Sequence, residues 1–162
     1  MHYKMRDQIR FKIGKEEKNI QEKWIEIPEG TEHIQMMIEM PEEFQYMAFL
    51  FLEDPKKEIR FQKLLGYGQQ NPGIGKSTKD TTIGGVPGEI YPGTWKIGIG
   101  IFTEYVAQKL GEQTGEIVLT VSDRKDVVSD PIGGECWGEK RTSCLEKKLS
   151  LGERILSGIR MV

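Results

Sequence analysis

Histidine is scarce in this chain of 162 residues, which holds only His2 and His33. No His-x-His, His-x-x-x-His or Cys-x-x-Cys spacing occurs, so the usual zinc and iron ligand sets are missing. A cupin-type metal enzyme, which needs several inward-facing histidines, is excluded for the same reason. Cysteine is equally rare: Cys136 and Cys144, both near the C-terminus. Two isolated cysteines without a secretory leader read as free thiols, and neither histidine stands in a context that would activate Cys144 as a nucleophile. Charge of one sign is lacking too. With 23 basic against 25 acidic residues the net charge is −2, which gives nucleic acid no basic face to bind. No stretch approaches the ~20 apolar residues of a membrane span, and the N-terminus has no signal-peptide core. The expectation is a cytoplasmic protein with no catalytic residue, no metal and no cofactor.

What the chain has in quantity is alternation. In QIRFKIGK, Ile9, Phe11 and Ile13 alternate with Arg10 and Lys12; in EHIQMMIEM, Ile34, Met36, Ile38 and Met40 alternate with Gln35, Met37 and Glu39. TWKIGIGIF puts Trp95, Ile97, Ile99 and Ile101 on one side, and GEIVLTVSD does the same with Ile117, Leu119 and Val121. A period of two is what a strand with one buried face requires. In EKWIEIP, Ile25 and Ile27 share a face and Trp24 breaks the order, yet both Trp24 and Trp95 are expected in the core. FQYMAFLFLED, 44 to 54, is apolar on both faces and reads as a central strand covered on two sides. FTEYVAQKLGEQ, 102 to 113, is the one helical competitor in this region, a short helix or an elaborated loop before the last strand.

Turn signals punctuate these runs: PEGT, PEE, EDPKK, NPG, GGVPG and YPGT. Proline presets φ, and glycine or asparagine supplies the positive φ of tight turns. About eight short strands so separated predict an all-β, antiparallel, jelly-roll-like sandwich over 1–123. The period of two ends after Asp123. Residues 124–162 are expected to form a tail or linker, irregular or partly helical, with Leu145, Leu149, Ile155, Leu156 and Ile159 on a helical stripe.

GIGKST, 73 to 78, ends as a phosphate-binding loop ends. The first glycine of that motif would stand at position 70, where Gln70 is found. The motif must also open a helix whose N-terminal amides cradle phosphate, and TKDTTIGGVPGEIYPGTW cannot be one. GIGKST is therefore read as a mobile loop between strands. His33 reads as an ordinary surface residue on a strand. Glu42, Glu43, Glu53, Asp54, Asp80 and Asp123 fall near strand ends, where solvated turn carboxylates are the expectation and a loop calcium site the alternative. Loop aromatics are the remaining candidates for ligand contact, because flat rings stack on sugar faces or apolar partners: Tyr67, Tyr91 and Trp137.

GGVPGEIYPGTWKIGIGIF, 84 to 102, carries a Pro-Gly-x-Ile-x-x-Gly-Thr-Trp segment running into an alternating strand. It resembles the N-terminal β-sandwich domain of bacterial polymerase-and-histidinol-phosphatase-type (PHP) metal-dependent hydrolases, including carbaryl-hydrolase-like members. IEIPEGTEHIQMMIEM is similar to that domain's strand–turn–strand, FLFLEDP to its central strand, and EIVLTVSD to its closing strand. The resemblance covers roughly residues 8 to 123. It implies a non-catalytic accessory sandwich beside a catalytic barrel. That barrel opens with Gly-Asp/Glu-x-His-x-His, whereas CWGEKRTSCLEKK stands here and no histidine follows His33, so no catalytic residue carries over. The expected function is an accessory or interaction domain whose partner is a catalytic domain or a second copy. The alternative is a free-standing module that binds a ligand such as carbohydrate.

Overall fold

The computed structural model describes residues 5–66, 71–125 and 131–132. The chain divides into two compact units, Met1–Ile132 and Gly133–Val162; the second lies outside the described residues, and so do the expected helical stripe and both cysteines. The first unit contains β1 (Arg6–Ile13), β2 (Ile20–Ile27), β3 (His33–Glu39), β4 (Ala48–Glu53), β5 (Ile59–Leu64), β6 (Gly73–Gly75), β7 (Gly93–Ile101), α1 (Thr103–Leu110) and β8 (Gly115–Ser122). Among the described residues, no helix is long and apolar enough to cross a membrane.

All strand pairs are antiparallel, in two four-stranded sheets ordered β1-β8-β3-β6 and β2-β7-β4-β5. The pairings nest: β1 with β8, β2 with β7, β3 with β6, β4 with β5. The first unit is one long hairpin ribbon, turned back between β4 and β5 and rolled so that successive strand pairs fall on alternate sheets. That is a jelly roll, the expected fold. The helix before the last strand is α1, whose Val106 joins the core.

Alternation decides which side chains face inward. Phe11, Ile34, Met36, Ile117, Leu119 and Val121 project from the first sheet, and Leu50, Leu52, Phe61, Trp95, Ile97 and Ile99 meet them from the second, all at most 1% exposed. Trp95 is thus a core residue, as its phase requires, and its indole Nε1 donates to the Tyr91 carbonyl at 2.7 Å. Trp24 corrects the expectation. It lies out of phase with the buried Ile25 and Ile27, points outward and is 61% exposed. β4 is a second correction. It is an inner strand of its sheet, but only Ala48, Leu50 and Leu52 face the core, while Phe49 on the other side is exposed. A strand with apolar residues on both faces needs cover on both, and this one is covered on one.

The Gly-rich segment is the third difference. Gly73–Gly75 is β6, wholly buried and paired to β3 through Ile34 and Ile74. Three residues are too few to display a period. Gly75 is required by close approach: a Cβ there would stand 2.7 Å from the Asp80 Cβ and 3.2 Å from His33 Nδ1. The turn carrying Asp80 thereby folds back over His33, which is 4% exposed and not the surface residue expected.

Candidate functional site

Three constellations stand out. The first is a cleft of about 520 Å3 at one end of the β1-β8-β3-β6 sheet, lined among others by Glu32, His33, Lys76, Asp80, Asp123 and Lys125. It forms where β3 begins, β6 ends and β8 ends. The single 3-10 turn Thr78–Asp80 follows β6, so GIGKST opens no α-helix and presents no stack of amides to a phosphate. Lys76 Nζ stands 3.8 Å from Glu32 and 3.6 Å from Glu89. Ser77 Oγ donates to Asp80 at 2.9 Å. Lys125 reaches Asp80 at 2.6 Å, and its hydrogen bond holds the Asp80 carboxyl below the usual carboxylate range against the opposing effect of partial burial; Ser77 and the charge of His33 add to the depression. At the floor, Gln35 donates from Nε2 to the carbonyls of Asn71 and Pro72. Its Oε1 is therefore the acceptor for His33 Nε2 at 2.8 Å, so Nε2 carries a proton. The cleft is polar and internally paired. Among the described residues, no group of three or more His, Cys, Asp or Glu side chains is disposed to hold a metal ion.

The second constellation surrounds Tyr91. Asp54 and Arg60 form an ion pair at 3.4 Å, with side chains 0% and 4% exposed. Asp54 Oδ1 accepts from the amides of Lys56 and Glu58, closing the β4–β5 hairpin. Arg60 donates to the carbonyls of Val86 and Glu89 and lies over the rings of Trp95 and Tyr91 at 5.4 and 6.0 Å. The Lys56 ammonium sits 4.1 Å from the Tyr91 centroid, a cation–π contact. Tyr91 is half-buried in this cluster. Tyr67 and Trp137 lie outside the described residues.

The third is the outer face of the β2-β7-β4-β5 sheet. Register aligns outward residues in rows across it. One row is Ile20–Gly100–Phe49–Leu64, the next Glu22–Gly98–Phe51–Gln62, the last Trp24–Lys96–Glu53–Ile59. Ile20, Phe49, Leu64, Trp24 and Ile59 are all exposed. The Phe51 ring lies down on Gly98, where a Cβ would approach it to 1.9 Å. Lys96 bridges Glu22 at 2.8 Å and Glu53 at 3.6 Å, and the hydrogen bond it donates to Glu22 first, then the charges of both carboxylates, raise the Lys96 ammonium pKa above its ordinary value. Sequence reasoning missed this face. Its signals were present, in Trp24 out of phase with Ile25 and in the doubled apolarity of β4, but both were read as core.

No protein-family model matches this chain, and no curated protein matches it significantly.

Proposed function

We propose that this chain is a non-catalytic β-sandwich accessory domain, cytoplasmic, and that it docks a catalytic domain against the outer face of the β2-β7-β4-β5 sheet. The observation that carries the reading is the row Ile20–Phe49–Leu64, exposed on a sheet face whose charged residues Glu22, Lys96 and Glu53 are ion-paired with one another. A contiguous apolar patch rimmed by polar groups is what a protein-binding surface requires. The resemblance of residues 84–102 to the N-terminal sandwich of PHP-type hydrolases supports the choice of partner, and it rests on sequence motifs alone. The test is calorimetric titration with the catalytic barrel of a PHP-type hydrolase stripped of its own sandwich. Saturable binding that falls at least tenfold in Phe49→Lys is expected. Absence of heat with the wild-type chain would overturn the reading.

One observation favours a second reading, a module for a small polar ligand such as a sugar. The cleft beside His33 has the volume for one and offers hydroxyl-binding groups in Glu32, Lys76 and Asp80. A saturable rise in melting temperature with a sugar, abolished in Lys76→Ala, would support it.

A further inference from the structure

The exposed row carries its own complement. β7 contributes Gly98 and Gly100 to the outer face, between the side chains of β2 and β4. Phe51 fills the place above Gly98, but above Gly100 a Cβ would meet, among the described residues, nothing closer than Phe49 Cβ and carbonyl O, at 4.0 Å. Gly100 is therefore an open hollow, with Ile20 on one side and the Phe49 ridge on the other. Phe102 follows in the same outward phase, extended at φ −82° and ψ 100° and 75% exposed. Tyr46, also exposed, lies with its ring over Gly66, two residues after Leu64, and its amide donates to the Leu65 carbonyl at 2.7 Å. A ridge beside a hollow on one surface is self-complementary under a two-fold rotation: the ridge of each copy enters the hollow of the other.

From these features we infer that the free chain pairs with a second copy of itself through this end of the face, Phe49 of each protomer seated over Gly100 of its partner. The inference rests on the docking reading above and names what occupies the face when no catalytic domain is bound. Charge favours this placement. The Glu22–Lys96–Glu53 group has a net charge of one negative unit and lies to one side of the apolar row, Glu22 in the next row and Lys96 and Glu53 in the one beyond. An axis through the apolar row carries the two like-charged groups to opposite ends of the interface, into the solvated rim. Area agrees as well. Aromatic side chains bury roughly 150–250 Å2 each when enclosed, and at their present exposure Tyr46, Phe49 and Phe102, with the smaller Ile20 and Leu64, leave about 500 Å2 of each copy in water. Two such patches bring together about 1,000 Å2, so the polar rim supplies the remainder of the ~1,200–2,000 Å2 of a stable specific interface.

Gly100→Lys tests this without attacking the fold. Its Cβ has room in the single chain, and its φ lies outside the left-handed region, so a side chain is accepted. Sedimentation equilibrium of the full chain, from low to high micromolar concentration, should show the wild type moving from one-chain to two-chain mass. Gly100→Lys should stay at one-chain mass with an unchanged or higher urea midpoint, a loss of at least 100-fold in self-affinity; Phe49→Lys is the second variant and should behave alike. A wild type that remains a single chain throughout overturns the dimer, and so does a Gly100→Lys chain that still doubles. If the wild type stays single yet binds the barrel, only the second copy is wrong; if it does neither, the docking face is wrong too.

Discussion

Asp54 and Arg60 show how one residue can hold several segments. Asp54 closes the β4–β5 hairpin through two backbone amides, and Arg60 ties that hairpin to the Val86–Glu89 segment. Both side chains are removed from water, so removing one partner strands the other's charge at a cost that such pairs commonly set at ~3–5 kcal/mol. We expect Asp54→Ala to lower unfolding free energy by about 3 kcal/mol in urea titrations. Combining it with Arg60→Met should recover part of the loss, because the stranded guanidinium is gone. Equal destabilisation by the single and double variants would show that the amide contacts matter and the ion pair does not. Asp54 was legible from the sequence only as an acidic turn residue, because nothing local says that Arg60, six positions on, folds beneath it.

At the scale of elements, the exit of β8 is tied to the turn after β6 through Lys125 and Asp80. The folded pKa of Asp80 lies below its unfolded value, which is about 3.9 for aspartate. Its contribution to stability is therefore full above the unfolded value and is lost as pH falls through the folded one. With Lys125 59% exposed, the contribution is screened to at most ~1 kcal/mol. Asp80→Asn should be less stable than wild type by that much at pH 7, with the gap narrowing as pH falls below the unfolded value, measured by urea midpoints at several pH values. A gap that persists undiminished in acid would remove the charge from the explanation. Beyond Lys125 the chain returns to the same edge: the Ile132 amide donates to the Thr81 carbonyl at 2.8 Å, and Pro131 bridges Thr82. Among the described residues the last strand ends at Ser122, and the compact unit itself continues to Ile132.

The first unit pairs its first described strand with its last. β8 lies between β1 and β3, so the first strand finds its partner only after the last has been made, and Arg10 meets Glu116 across 106 positions of sequence. Such non-local pairing makes loop closure the barrier to folding, and β-sandwiches of this kind fold in milliseconds to seconds. Stopped-flow refolding from urea should give a dominant phase no faster than the millisecond range; a microsecond phase accounting for most of the amplitude would contradict the nested order.

Strand positions in this chain were set by local chemistry. A period of two places Phe11, Ile34, Trp95 and Leu119 on one face wherever the strand goes, and proline with glycine ends each run. From that alone an all-β sandwich of about eight strands followed. The side of a strand that meets solvent is not local information. Phe49 and Trp24 are as apolar as Leu50 and Ile25; only the rolling of the ribbon leaves the first two outside and encloses the others. Likewise β6 exists because β3 offers it an edge, and His33 is buried because Gly75 lets the Asp80 turn close over it. Local sequence determines which residues can share a face, but burial depends on neighbours distant in the chain, and those were decided by the tertiary fold.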